Sequence, residues 1–202
     1  MAKDVTLPSK YCTQMEEVKK RIDIVSQIGN GKRFTNDDLF DYEIVSIHFR
    51  KILELIAFST MIANIEIYKS TYKNFSNHWK AKTMLDSLEK IHPDFYPKPI
   101  KLESQNGRKK HFDVIKTGYL TKDDFIFLYD RCSEVLHTWN PFTEKERHVD
   151  FKYTVVDWIS RIQNLLKLHL IRFIDRDEIW MVTMHNPDTG KVHAFTANPT
   201  ST

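Results

Sequence analysis

Apolar residues recur at helical spacing along most of the chain. Near the N-terminus they stand at alternating steps of four and three residues, at Tyr11, Met15, Val18, Ile22 and Val25. The "GNG" at 29–31 ends this pattern. A second helix is predicted from near Asp41 to about Tyr68, where apolar residues cover almost every side. Because such a helix must be enclosed by others, we expect it to be the central helix of the fold.

Three more helices are predicted further along the chain. The third covers about 79–91, and the prolines of "HPDFYPKP" forbid its continuation. The fourth, "KDDFIFLYDRCSEVLHTW", opens with Thr121 and Asp124 in a variant of the capping box and ends about two residues before Pro141. The fifth covers roughly 150–174, with apolar residues again at helical spacing.

Two β-hairpins interrupt or follow the helices. In "IKLESQNGRKKHFDVI" (100–115), Asn106-Gly107 separates two extended runs, which is typical of a tight hairpin. A second hairpin is predicted at about 178–197, around "NPDTG". The sequence therefore predicts a mainly α protein, in which a five-helix bundle over about 9–174 carries a mid-chain hairpin insertion and a C-terminal hairpin. We expect residues 1–202 to form a single domain.

Composition limits the class of protein. The chain of 202 residues has 41% hydrophobic and 28% charged residues and a net charge of +3, values typical of a soluble globular protein without a strongly basic coat. Its most apolar run, 52–67, is interrupted by Glu54 and Glu66, so the uncharged stretch is too short for a bilayer, which needs about 20 residues. Cys12 and Cys132 are far apart, and we interpret them as reduced thiols of a cytoplasmic protein.

Patterns for metal and nucleotide binding are missing from the sequence. Its nine histidines form neither His-x-x-x-His nor His-Glu-x-x-His, and its five glycines form no phosphate-binding loop. We therefore predict no metal site and no cofactor.

The stretch "RCSEVLH" (131–137) on the fourth helix carries the candidate chemistry. At 100° per residue, Arg131 and His137 lie about 120° apart with Glu134 between them, so one straight helix does not aim both at a single point. They could converge if the helix loosens before Pro141, or if a second copy faces this surface across a twofold axis. The structural alternative is an ordinary surface pair, Arg131 with Glu134, and a histidine that simply finishes the helix.

Arg131 and His137 give the chain a resemblance to the HEPN superfamily, all-helical proteins that often act as metal-independent endoribonucleases. The signature of that family is an arginine four to six residues before a histidine on a late helix, and five residues separate the two here. The resemblance covers about 9–174. The family usually has a polar residue directly after the arginine, whereas this chain has Cys132, which we expect to face the core.

The resemblance implies a function in RNA cleavage, as a toxin or an antiviral-defence component. His137 would accept the 2′-hydroxyl proton or protonate the leaving 5′-oxygen, and Arg131 would hold the phosphate through its planar fork. The expected products are a 2′,3′-cyclic phosphate and a 5′-hydroxyl. A homodimer and a protein regulator are the expected partners beside RNA, with no membrane.

A charge pair on the central helix is a candidate support for this surface. Arg50 and Glu54 stand one turn apart among apolar residues, and an unpaired charge there would be costly. One interpretation is a helix-stabilising pair at the margin of the core. The functional interpretation is that the pair packs behind the Arg131–His137 surface and orients it.

The positive charge of the chain is concentrated in the mid-chain hairpin. Residues 95–116 carry six basic and two acidic side chains, so they exceed the net charge of the whole chain. We predict an RNA-backbone patch there, with Phe95, Tyr96 and Phe112 as stacking surfaces; its basic members are Lys98, Lys101, Arg108, Lys109 and Lys110. A basic hairpin edge that prevents aggregation is the competing interpretation.

Two other functions remain open at this point. The same helical scaffold could serve as a non-catalytic binding module for RNA or a protein partner. It could also be a purely structural interaction protein.

Overall fold

A computed structural model of the chain describes residues 6–72, 81–106, 109–138, 140–142, 148–174 and 176–198, with the backbone alone at 105, 106, 109 and 110. The described elements, in chain order, are α1 (Leu7–Gly29), α2 (Asp38–Ala63), α3 (Ile65–Thr71), α4 (Ala81–Ile91), β1 (Lys98–Asn106), β2 (Lys109–Val114), α5 (Lys122–Leu136), α6 (Val155–Leu166), β3 (Leu168–Arg172), β4 (Ile179–Thr183) and β5 (His193–Ala197). The fold is mainly helical, as predicted, but the described residues contain six helices where five were predicted.

Helix α2 is the centre of the helical part. Helices α1, α4 and α5 all pack against it, and its buried face extends from Val45 to Ala63. The five apolar residues predicted for the inner face of α1 are all buried. One prediction was wrong: the second helix does not run unbroken to Tyr68. It ends at Ala63, and Asn64, with φ −108° and ψ 23°, separates it from α3.

Both predicted hairpins are present, since β1 pairs with β2 and β4 with β5, each antiparallel. They are not separate appendages, however. Strand β3 joins them into a single five-stranded sheet of order β2-β1-β3-β4-β5. An isolated hairpin is marginally stable in water, and pairing through a shared central strand removes that weakness.

Strand β3 also corrects the predicted fifth helix. Helix α6 covers only Val155–Leu166, and the chain then extends as β3. Residues His169 and Ile171 are fully buried while Arg172 is exposed, so the segment follows the two-residue period of a strand. Its pairing with β1 and β4 outweighs the helical spacing that continues to Phe173.

The starts of α5 and α6 are fixed by side-chain caps. The Thr121 hydroxyl accepts the Asp124 N–H at 3.1 Å, as predicted. The carboxylate of Asp124 is turned instead to Lys152 Nζ at 3.2 Å and Arg161 Nη1 at 3.1 Å. A reciprocal capping box is found at α6, between Thr154 and Asp157. The buried Asp124 therefore ties α5 to α6 and to the segment before it.

Candidate functional site

His137 lies directly after the last residue of α5. It is the C-cap of the helix, with φ −84° and ψ 135°, and it is exposed. Its φ is close to the helical value, so its Cβ leaves the backbone nearly in the direction that it would have in the helix, and only the chain beyond it turns away. The imidazole is therefore presented to solvent at the C-terminal end of α5.

Arg131 lies on a different flank of the same helix. Its Nη1 is 2.7 Å from Glu134 Oε2, and its guanidinium carbon is 5.7 Å from the centre of the Phe127 ring. This flank borders segment 148–158, because Phe127 stacks on Trp158 with the ring centres 6.3 Å apart. A groove of about 580 Å³ runs along the same side, between α2, Val135 and this segment.

Arg131 and His137 leave α5 in different directions within one chain. Helix α5 is α-helical through Leu136, and the chain leaves the helix at His137, four residues before Pro141. The two residues keep the separation of about 120° that six helical positions give. Glu134, which was predicted to lie between them, pairs with Arg131, as the structural alternative expected.

Arg50 reaches α5 from the opposite side of that helix. Its Nη1 donates to Ser133 Oγ at 2.9 Å and its Nη2 to Tyr129 Oη at 3.1 Å, while its Nε donates to Glu54 Oε1 at 3.2 Å. The guanidinium carbon also lies 4.8 Å from the centre of the Tyr129 ring. Arg50 and Glu54 therefore form more than a pair within α2, because Arg50 connects α2 to α5.

The Arg50 cluster faces the side of α5 that carries His137. Ser133 and His137 are four positions apart and so share one face of the helix, whereas Arg131 is about 160° away from Ser133 around the axis. Arg50 therefore contacts the face of α5 on which His137 lies, and not the face of Arg131.

Burial determines the protonation of the groups around Arg50. It raises the pKa of Tyr129, and the guanidinium of Arg50 lowers that pKa by a smaller amount, so the side chain is a neutral phenol whose oxygen accepts from Arg50. Burial also raises the pKa of Cys132 to about 12. Cys132 is fully buried, as expected from its place in the core stripe, and it has no thiolate at neutral pH.

The basic hairpin is described only in part. Lys101 is exposed on β1, and Lys98 forms an ion pair with Asp94 at 2.8 Å. Arg108 lies outside the described residues, and the backbone alone is described at Lys109 and Lys110.

One predicted stacking surface of the hairpin was wrong. Phe95 is 1% exposed, because it packs into the core beside Tyr96. The Tyr96 hydroxyl donates to the carbonyl of Leu120 at 3.1 Å, and burial raises the pKa of Tyr96 well above its usual range. Of the three aromatic residues, only Phe112 lies within the paired strands of the hairpin.

Two further features concern the described part of the chain. It contains no group of three His, Cys, Asp or Glu side chains placed to hold a metal ion. Within the same residues, no helix combines the length and the apolar character that crossing a membrane would require.

Comparisons with models of known protein families, with curated protein sequences and with solved structures found no match to this chain.

Tyr129 and Ser133 are the residues that sequence reasoning missed. Together with His137 they form a Tyr-x-x-x-Ser-x-x-x-His row along α5, and this spacing of four is the signal that could have found them. Their partner Arg50 stands 79 and 83 positions away, so the row alone does not name it.

Proposed function

We propose that this protein cleaves RNA without a metal ion, as a HEPN-like endoribonuclease, and that His137 performs the proton transfer. The observation that carries the proposal is the exposed His137 at the end of α5, on the same helix as a partly exposed Arg131. The basic hairpin, with Lys101 exposed, supports contact with an RNA backbone.

RNA supplies its own nucleophile, so few protein groups suffice. The 2′-hydroxyl attacks the adjacent phosphorus, the bond to the 5′-oxygen breaks, and a 2′,3′-cyclic phosphate and a 5′-hydroxyl result. An imidazole can take the 2′-hydroxyl proton or give a proton to the leaving oxygen, a step that typically contributes about 10²–10⁴-fold. His137 has the exposure that this task requires.

Arg131 reaches the same phosphate only from a second copy of the chain, in this proposal. Within one chain its guanidinium is held by Glu134, and its side chain leaves α5 about 120° from that of His137. A twofold axis beside α5 would place Arg131 of one copy opposite His137 of the other. A homodimer is therefore part of the proposal, which also includes a role in toxin or antiviral-defence systems and regulation by a protein partner.

The experiment is cleavage of a labelled RNA oligonucleotide in EDTA, with analysis of the product ends. We expect wild type to release 2′,3′-cyclic phosphate ends, and His137→Ala and Arg131→Ala each to abolish cleavage. His185→Ala is the matched control, because His185 is also exposed but lies in the turn after β4. Circular dichroism checks that every variant is folded.

The dimeric arrangement has its own test. If Arg131 acts across two copies, a mixture of Arg131→Ala and His137→Ala chains recovers activity, because mixed dimers contain one intact pair. A wild-type protein that never cuts RNA contradicts the nuclease proposal, and so does a His137→Ala variant that cuts as fast as wild type. If wild type cuts RNA but the mixture of variants recovers no activity, only the arrangement across two copies is contradicted.

The basic hairpin favours a second candidate function, a module that binds RNA without cutting it. The excess positive charge of the chain lies in residues 95–116, which contain this hairpin. If RNA is bound but never cut, and charge reversal at Arg108, Lys109 and Lys110 removes binding, this second function is the correct one. If the chain neither binds nor cuts RNA, a structural interaction protein remains.

A further inference from the structure

We infer that Arg50 is the residue that holds the RNA phosphate beside His137 within one chain. The inference rests on the proposed function, and it names a residue that the Arg131–His137 pattern does not contain.

The position of the guanidinium follows from its bond to α5. Arg50 Nη1 lies 2.9 Å from Ser133 Oγ. His137 is four residues after Ser133, and side chains at that spacing have Cβ atoms about 5–6 Å apart. The guanidinium and the imidazole therefore stand on one flank of α5, about one helical turn apart, so a single phosphate between them can contact both.

Three contacts fix the orientation of the guanidinium. The carboxylate of Glu54 accepts from Nε, Ser133 accepts from Nη1, and Tyr129 accepts from Nη2 while its ring lies under the guanidinium carbon. The hydroxyl hydrogen of Ser133 is itself used, since it donates to the carbonyl of Tyr129 at 2.7 Å. A group held in this way loses little conformational freedom when it binds a ligand.

The guanidinium retains the capacity to bind an anion. Among the described residues, three of its five N–H groups have protein acceptors. Two N–H groups remain, which is the number that a bidentate contact with a phosphate uses. The Arg50 side chain is 33% exposed, so a phosphate can approach it from solvent. Glu54 also pairs with Lys51, so removal of Arg50 does not leave this half-buried carboxylate alone.

The first experiment compares Arg50→Gln with Lys51→Gln in the RNA-cleavage assay. Lys51 is the matched control because it is the next residue of α2 and also pairs with Glu54, so both variants lose one positive charge beside that carboxylate. We expect Arg50→Gln to lower kcat by about 10²–10³-fold, as loss of one preorganised donor to the transition state typically does. Lys51→Gln should stay within a few-fold of wild type. Arg50→Lys should not restore the rate, because an ammonium cannot reproduce the planar fork.

The second experiment does not depend on cleavage. A 2′-deoxy oligonucleotide, which lacks the nucleophile, is titrated into wild type and variants while the His137 ring is followed by NMR. The oligonucleotide should shift the His137 resonance in wild type and Lys51→Gln, and the shift should be lost in Arg50→Gln. Tyr129→Phe and Ser133→Ala remove one contact each to Arg50, so they should weaken the His137 shift and lower kcat by less than Arg50→Gln does.

If Arg50 and His137 act from the same chain, mixtures of variant chains have a distinctive expected result. Arg50→Gln and His137→Ala chains should not restore each other, because each active site needs both residues from one chain. Recovery by that mixture would overturn the inference.

The two proposals fail in different ways. If wild type cuts RNA and Arg50→Gln cuts equally well, the role of Arg50 is wrong and the nuclease stands. If wild type never cuts RNA but the His137 shift still requires Arg50, the nuclease is wrong and the phosphate site stands. If there is neither cleavage nor an Arg50-dependent shift, both are wrong.

Discussion

Protonation of His169 should destabilise this fold more than the protonation of an ordinary histidine would. The ring is fully buried between α1 and the sheet, with Nδ1 2.8 Å from the carbonyl of Leu166 and Nε2 2.7 Å from the hydroxyl of Tyr11. A carbonyl can only accept, so Nδ1 carries the hydrogen, and the Tyr11 hydroxyl donates to Nε2. The neutral ring is thus fully satisfied, and added charge would have no carboxylate partner among these contacts.

The size of the effect follows from the pKa. Burial lowers the pKa of His169 from 6.5 to about 4, and the bond to the carbonyl of Leu166 opposes this only in part. The unfolded chain takes up a proton as pH falls through about 6.5, whereas the folded chain does not until about 4. Stability is therefore fully present above the unfolded pKa and falls between these two values. The loss is about 3 kcal/mol, a large part of the roughly 5–15 kcal/mol that stabilises a typical domain.

Urea unfolding from pH 4 to 7, followed by tryptophan fluorescence, measures this loss. Trp180 reports directly on the region, since its ring meets Tyr11 edge-on with centres 5.9 Å apart. Other groups also titrate here, notably His48 and His92, whose pKa values are lowered by burial. A His169→Asn variant removes one titration while keeping a donor for the carbonyl of Leu166. The difference in unfolding free energy between wild type and variant should shrink by about 3 kcal/mol as pH falls from 6.5 to 4.

Two results would refute this reasoning. Parallel curves for wild type and His169→Asn across the range would mean that His169 does not link proton uptake to folding. An NMR titration of the wild-type ring gives the second result, and it needs no variant to fold. A His169 pKa near 6.5 in the folded protein would show that the ring is hydrated or able to accept charge.

The caps and the ion pairs of α5 and α6 give two further predictions for urea unfolding. Asp124→Ala should lower the unfolding free energy by about 2 kcal/mol, because it removes charge-assisted bonds from the cations beside it, among them Arg161. Asp123→Ala is the control, because Asp123 lies on the exposed side of the same turn. An equal loss in both variants would contradict the role of burial. Thr154→Ala should lower the unfolding free energy by about 1 kcal/mol, because it opens the capping box with Asp157. Thr154→Ser keeps the hydroxyl and should lie within about a few tenths of a kcal/mol of wild type. Equal losses in the two variants would show that the cap contributes little.

The helical part of the fold could be predicted because its signals are local. The buried stripe of α1, from Tyr11 to Val25, repeats over about four turns, and only a helix buries all of its members together. The two hairpins are also local, since each turn lies between its own strands. Segment 168–172 could not be assigned in this way. Its apolar residues fit the end of a helical stripe as well as a strand, and the choice depends on β1 and β4, which lie elsewhere in the sequence.

The candidate site has the same division between local and distant information. Arg131 and His137 are six positions apart, and helix geometry alone shows that they leave α5 in different directions. The guanidinium on the flank of His137 belongs to Arg50, 83 positions before Ser133, the residue that it contacts. No spacing rule connects those two positions, because their contact exists only through the packing of α2 against α5. A search for active sites by short motifs will therefore select the arginine that is close in sequence. When a motif pair diverges on its helix, the residues that should be tested next are the charged ones that the neighbouring helix brings to the same face.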